Sequence, residues 1–353
     1  MHPMNTHEQY RRCLVLAGGG FRFAYYLGVH AAAEDSGRKP DVLLASCGGA
    51  IAAAVIAALP DAGARRDWMA GPDMYAFLRA IRSTPRAAPL RTLGAAGLRW
   101  LRRAPAARGA DLLRDYLFEL PDALPLPLPL QSRPDDDAPA LAIVGARLLY
   151  DPRQAGARRG AQPLFGEVVF GPERVAALLD GTPAPAADPR WSAGAVDPLL
   201  RVETDVAPAD AARISIADMF YFRSHAVAGR HYSGGVIDLF PIELARRLAR
   251  EVIMERKMPF NPWLALPALR TVFGIDGAAR LRHMHAQAAD AWFDTRDARE
   301  VLRAHGIGKR IDWRGNRVEL VVPPTLDAHA AQVRAQWDYG YLKGMAAFAG
   351  GTQ

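Results

Sequence analysis

The stretch Cys13-Leu14-Val15-Leu16-Ala17-Gly18-Gly19-Gly20-Phe21-Arg22 is followed, after one helical segment, by Pro40-Asp41-Val42-Leu43-Leu44-Ala45-Ser46-Cys47-Gly48-Gly49. Each half is a short apolar run cut off by small residues. Residues 13–17 read as a buried strand entering a glycine turn, because the run is too short for a core helix and has no polar alternation. Residues 22–35 predict a helix that Gly37 stops. Residues 42–45 predict a second strand, and Ala50 to Leu59 a second helix. Strand, glycine turn, helix, strand, sharp turn, helix is a βαβα unit. Its crossover makes the two strands parallel neighbours, so the chain reads as α/β with a mainly parallel sheet flanked by helices.

The two turns carry the chemistry. Gly18-Gly19-Gly20 between a strand and a helix leaves backbone N–H groups free and lets a substrate oxygen approach closely. Such a loop binds phosphate or stabilises an oxyanion. It is not a dinucleotide fingerprint, because the third glycine of that motif would fall at Phe23. The second turn, Ala45-Ser46-Cys47-Gly48-Gly49, has the form of a nucleophile elbow, which needs small residues two before and two after the reactive side chain. Cys47 has Ala45 and Gly49 there; Ser46 would have Leu44, which is too bulky. Cys47 is therefore the candidate nucleophile, with Ala45, Gly48 and Gly49 shaping the elbow. A thiol at a helix N-terminus is expected to ionise more readily than a free one. The alternative is an inert cysteine in a tight turn.

Gly-Gly-Gly-x-Arg ahead of such an elbow resembles the hallmark of the patatin-like phospholipases. Gly18-Gly19-Gly20-Phe21-Arg22 matches the oxyanion loop of that family, and Cys47 falls on its serine. Ala24-Tyr25, Gly28-Val29, Pro40-Asp41-Val42 and Gly49-Ala50 match the surroundings. Ser215-Ile216-Ala217-Asp218-Met219-Phe220 resembles the family's A-S-x-A-x-P stretch, with Met219 at the proline. Tyr232-Ser233-Gly234-Gly235 through Pro241 resembles its D-G-G-x-x-x-N-x-P region, with Ser233 at the catalytic aspartate and Leu239 at the asparagine. The resemblance implies a three-layer patatin-like fold and a lipid or acyl-ester substrate cleaved through an acyl-enzyme. It implies Gly18, Gly19, Gly20 and Arg22 as the oxyanion site, with no cofactor.

Both dyad positions depart from the family pattern. A thiolate tolerates loss of the carboxylate better than a serine does, because the reference thiol titrates near pH 8.5. His231 shares a strand face with Ser233 and is a candidate base; Asp238 is a weaker one. Ser233 cannot be a base but can hydrogen-bond the thiol. Three readings stay open: a cysteine-nucleophile acyl hydrolase, a catalytically silent relative that binds lipid, acyl ligands or protein partners, and an unrelated α/β protein whose glycine loop binds phosphate.

The 353 residues suffice for a patatin-like domain over 12–250 and a mostly helical extension over 251–353. Half are apolar and the net charge is +7. No helix-turn-helix, zinc-finger or RNA-binding signature accompanies that charge, so a nucleic-acid partner is not expected. His283 and His285 stand as H-x-H without companion ligands, and no metal site is expected. Cys13 and Cys47 sit at opposite ends of adjacent strands, too far for a disulfide, and suit a cytoplasmic protein. Residues 65–110 read as a basic helical cap insertion, with ten arginines between Arg65 and Arg108 among Trp68, Phe77, Leu98, Trp100 and Leu101. That pattern is either a solvated face or a peripheral contact with an anionic membrane. Residues 121–139 read as a Pro-rich loop. Helices are expected over 210–225, 241–256, 278–293, 295–305 and 326–348, and strands over 141–149 and 318–322.

Overall fold

A computed structural model describes residues 8–127 and 138–349; most of the Pro-rich loop lies outside them. β1 (Tyr10–Leu16) holds the first apolar run, and only Arg11 on it is exposed. α1 (Tyr25–Asp35), β2 (Val42–Ala45) and α2 (Gly48–Ala58) follow as the first reading expects. The insertion contains α3 (Ala62–Met69), α4 (Pro72–Ala80), the short strand β3 (Arg82–Ser83), α5 (Pro89–Leu101) and β4 (Phe118–Glu119), which pairs with β3. Next come β5 (Ala140–Leu148), β6 (Phe165–Phe170), α6 (Glu173–Leu179), β7 (Arg201–Glu203), α7 (Pro208–Ser215), β8 (His225–Val227) and β9 (Arg230–Ser233).

The helix expected over 241–256 is two elements: α8 (Ile242–Leu248) runs directly into β10 (Ala249–Arg256). Arg, Glu and Met suit a helix, but Val252 and Ile253 lie beside β1, with Cys13 opposite Val252. Pairing with a central strand overrides local propensity there. The same correction applies further on. After α9 (Ala265–Phe273), α10 (Gly277–His285) stops early, and Ala291–Asp294 becomes the edge strand β11. The helix expected over 295–305 shrinks to α11 (Ala298–Val301). A hairpin of β12 (Gly308–Asp312) and β13 (Arg317–Val321) precedes α12 (Leu326–Ala349). The extension therefore carries helices and also completes the sheet.

The central sheet runs β11-β10-β1-β2-β5-β6-β7, and β9 pairs with β5 and β8. From β11 to β5 every pair is parallel. Side chains alternate between two buried layers. Leu14, Leu16, Leu43 and Ile253 pack under α1, α2 and α12; Cys13, Val15, Val42 and Val252 pack against α8, α9 and α10. The result is the three-layer fold that the resemblance implies.

One feature of the strand register positions the site. β6 occupies one edge of β5 from Ile143 to Leu148. On the other edge β2 ends at Ala45, opposite Ile143, and β9 takes over with Ser233 opposite Ala146. The elbow after β2 and the glycine turn after β9 therefore meet in one gap.

α12 seals the fold by lying against α1. A Cβ on Gly340 would stand 1.8 Å from the Tyr25 carbonyl oxygen, and one on Gly28 2.0 Å from that of Trp337. Ala exceeds Gly in helix propensity by about 1 kcal/mol. Gly340→Ala should nonetheless lower stability, by about 2 kcal/mol in urea unfolding, because backbone must separate.

Candidate active site

Cys47 sits between β2 and α2 with φ 49° and ψ −129°. A non-glycine residue is rarely held in this region, at a cost on the order of 1–3 kcal/mol. Three contacts enforce it. The Cys47 N–H donates to Ser215 Oγ at 2.9 Å, and Ser215 Oγ donates to the Val144 carbonyl at 2.7 Å. Ser46 Oγ donates to the Asp238 carbonyl at 2.9 Å. A Cβ on Gly49 would lie 2.0 Å from the Leu16 carbonyl oxygen, so the helix can start this close to β1 only with glycine there.

The glycine loop lies directly against the thiol. A Cβ on Gly18 would come within 2.7 Å of Cys47 Cβ and 2.9 Å of a Leu239 methyl. Gly20 has φ 61°. The N–H groups of Gly19 and Gly20 make no hydrogen bond to described residues, and both glycines line the same pocket as Cys47. Among the described residues both are therefore unpaired backbone donors in the pocket that holds the thiol. Tyr25 Oη underlies Gly19 and donates to buried Glu255 at 2.8 Å; Lys257 Nζ donates to Tyr25 Oη at 3.0 Å.

The partner of the thiol is Asp218. Cys47 Sγ donates to Asp218 Oδ2 at 2.8 Å, while Asp218 Oδ1 is buried without a hydrogen-bond partner among the described residues. Burial pushes the Asp218 carboxyl up to about 7, against the opposing pull of the thiol hydrogen bond. Burial and then the Asp218 charge raise the Cys47 thiol well above its usual value. The expectation of a readily ionised thiol is thereby corrected: the helix terminus is outweighed by burial and a neighbouring carboxylate. The thiol thus keeps its proton, directed at the Asp218 carboxyl.

Ser233 is fully buried, and its Oγ donates to the Ala217 carbonyl at 3.2 Å rather than meeting the thiol. The Gly234 N–H donates to the same carbonyl at 2.8 Å, so the turn after β9 clamps the residue just before Asp218. His231 is not at the thiol: it pairs with Ala226 between β9 and β8, and it does not line the pocket that holds Cys47. Asp238 is committed to Arg280, 2.9 Å away. The sequence places Asp218 within the Ser215–Phe220 stretch, whereas the candidate bases it suggests are His231 and Asp238. The available signal is a lone carboxylate in a turn of otherwise small and apolar residues.

The pocket in front of Cys47 has a volume of about 320 Å³. Phe21, Phe23, Ile51, Phe77, Leu78, Leu120, Ile216, Phe222 and Ile307 make its walls apolar, with Arg22 and Lys309 at its edge. The insertion supplies Phe77 and Leu78; the extension supplies Ile307 and Lys309. Cys13 is a separate buried thiol, pushed up to about 12 by burial.

The family model of the patatin-like phospholipases matches residues 14–246, about two thirds of the chain. The chain belongs to this family, whose members act on lipid esters. No curated protein matches it.

Asp218 also makes a stability prediction. Its folded value lies above the ordinary 3.8, so the fold favours the protonated acid. The associated stability is complete below about pH 4 and is lost as pH rises through about 7. Asp218→Asn should therefore be more stable than the parent at pH 8, by between about 1 and 4 kcal/mol, with the difference closing below pH 4. Thermal unfolding of both proteins across that range checks the sign.

Proposed function

We propose that this chain is a lipid acyl hydrolase in which Cys47 is the nucleophile and Asp218 replaces the aspartate missing at position 233. The 2.8 Å hydrogen bond from Cys47 Sγ to Asp218 Oδ2 carries the reading. Sγ attacks the ester carbonyl carbon as its proton passes to Asp218. The oxyanion is received by the N–H groups of the Gly18–Gly20 loop, with Arg22 nearby. Collapse expels the alcohol, which takes the proton from Asp218, and leaves a thioester on Cys47. Water then attacks the thioester, again losing its proton to Asp218, and the released thiol recovers that proton. Because the base must be ionised and the thiol is not, kcat/KM should rise with pH through about 7.

Ester hydrolysis by the purified chain and its variants tests this. Cys47→Ala should abolish turnover of p-nitrophenyl esters, and Asp218→Asn should reduce kcat at least about a hundredfold. Cys47→Ser should keep measurable activity, since Asp218 serves a hydroxyl as it serves a thiol. A parent protein indistinguishable from Cys47→Ala would instead favour the catalytically silent, lipid-binding reading.

We further propose that residues 65–110 form a cap and that its last helix meets an anionic membrane. The arginines divide into two sets. Arg65 is buried on Glu34, Arg66 lies over the Trp337 ring and Arg79 over the Tyr75 ring. Arg91, Arg102 and Arg103, by contrast, are exposed around α5. On that helix Leu90, Leu93, Leu98 and Leu101 are also exposed, and Trp100 stacks on exposed Trp263 at 5.3 Å. Apolar side chains ringed by cations suit an anionic lipid surface. Among the described residues no helix is long and apolar enough to cross a membrane, so the contact would be peripheral. Leu93→Glu with Trp100→Ala should cut co-sedimentation with phosphatidylglycerol vesicles while leaving hydrolysis of a soluble ester unchanged; equal sedimentation refutes the docking surface.

A further inference from the structure

Arg280 stands on α10, beyond residues 14–246, yet its side chain reaches the segment that backs the nucleophile. We propose that Arg280 is a positioning residue: through Asp238 and Phe240 it fixes residues 235–240, and these fix the Cys47 elbow and the Gly18–Gly20 loop against one another. The inference deepens the reading of Cys47 as the acyl nucleophile and rests on it.

Residues 235–240 meet the reactive backbone at three points. The Asp238 carbonyl accepts from Ser46 Oγ at 2.9 Å, one residue before Cys47. Gly235 packs under the elbow: a Cβ there would stand 2.6 Å from Ser215 Oγ and 3.1 Å from the Cys47 nitrogen. Leu239 meets the glycine loop, since a Cβ on Gly18 would stand 2.9 Å from its methyl. The first contact is a single hydrogen bond, and the other two are packing contacts without direction. Arg280 supplies the direction. Its Nε and Nη2 donate to Asp238 Oδ1 at 3.2 Å and Oδ2 at 2.9 Å, and Nη2 also donates to the Phe240 carbonyl at 2.8 Å. A planar fork on a carboxylate fixes orientation as well as distance. Leu239 is thereby gripped on both sides, by the side chain before it and the carbonyl after it. The fork is itself held. Its Nη1 and Nη2 donate to Glu243 at 2.7 and 2.6 Å, and the guanidinium lies 4.8 Å over the Trp191 ring. Arg280 is buried, so water competes little for these bonds. Among the described residues lining the pocket in front of Cys47, none comes from 235–241 or from α10. Arg280 therefore acts on the placement of the reacting groups and not on the walls that receive an acyl chain.

The test sets Asp238→Ala against Glu243→Ala. Each removes one carboxylate and leaves Arg280 paired with the other, so neither strands a buried cation. Only Asp238→Ala releases residues 235–240. With a p-nitrophenyl ester, Asp238→Ala should lower kcat at least roughly tenfold while KM changes less than about twofold, because misplaced reacting groups cost rate and not ground-state binding. Glu243→Ala should lower the melting temperature but keep kcat within about twofold of the parent. Equal losses of kcat in the two variants, or no loss in either, overturn the proposal. Arg280→Lys is measured beside them and decides should Asp238→Ala fail to fold. Its single ammonium cannot fork across Asp238 and the Phe240 carbonyl, so kcat should fall with KM held, and full activity overturns the proposal. Should the parent cleave no ester, the catalytic reading fails and alkylation of Cys47 by iodoacetamide decides alone. Cys13 is fully buried, so the reaction reports Cys47. Burial and then the Asp218 charge raise the Cys47 thiol, and both act only while the elbow holds it in place. Asp238→Ala should then move the pH midpoint of alkylation down by about one unit, with Glu243→Ala unmoved; an unmoved midpoint in Asp238→Ala overturns the proposal.

Discussion

The reactive end of this protein depends on the backbone of Cys47, held at positive φ between a strand and a helix. That conformation is unfavourable for any side chain with a Cβ and persists only because the surroundings over-determine it. Ser215 receives its N–H, Ser46 is tied to the Asp238 carbonyl, and Gly49 lets α2 begin against the Leu16 carbonyl. The consequence is a thiol projected from the sheet toward the Gly18–Gly20 loop, where β2 has ended and β9 has not yet closed the edge of β5.

That gap brings together two segments that are far apart along the chain. Two segments enter it: the end of β9, where Ser233 stands, and the turn after α7, where Asp218 stands. They are stitched together through the Ala217 carbonyl, which accepts from both Ser233 Oγ and the Gly234 N–H. The carboxylate that meets the thiol comes from the second of them. Asp218 is costly to bury, with its carboxyl pushed up to about 7. The fold retains this costly group within hydrogen-bonding distance of the Cys47 thiol, beside an apolar pocket.

The elements outside the central βαβα unit act on what reaches that place. The insertion closes one side of the pocket with Phe77 and Leu78, and α5 is tethered at its C-terminal end by Arg270, which donates to the Arg102 carbonyl at 3.0 Å. The extension closes the other side with Ile307 and Lys309, the latter lying 3.8 Å over the Tyr221 ring. β10 makes the extension part of the core rather than an appendage, since it is the neighbour of β1.

Much of this was legible in the amino-acid sequence alone. The apolar runs at 13–17 and 42–45, the triple glycine and the elbow spacing around Cys47 are local patterns, and local patterns report directly on strands, turns and a nucleophile position. The helix that became β10 was not legible, because its residues are equally compatible with a helix until β1 is beside them. Nor was the partner of Cys47. Asp218 lies 171 positions away in the chain, and only strand register and the Ala217 clamp bring its carboxylate to the thiol. The ionisation of Cys47 was misjudged for the same reason: the helix terminus is encoded locally, whereas the burial and the carboxylate that outweigh it exist only once distant segments have packed together.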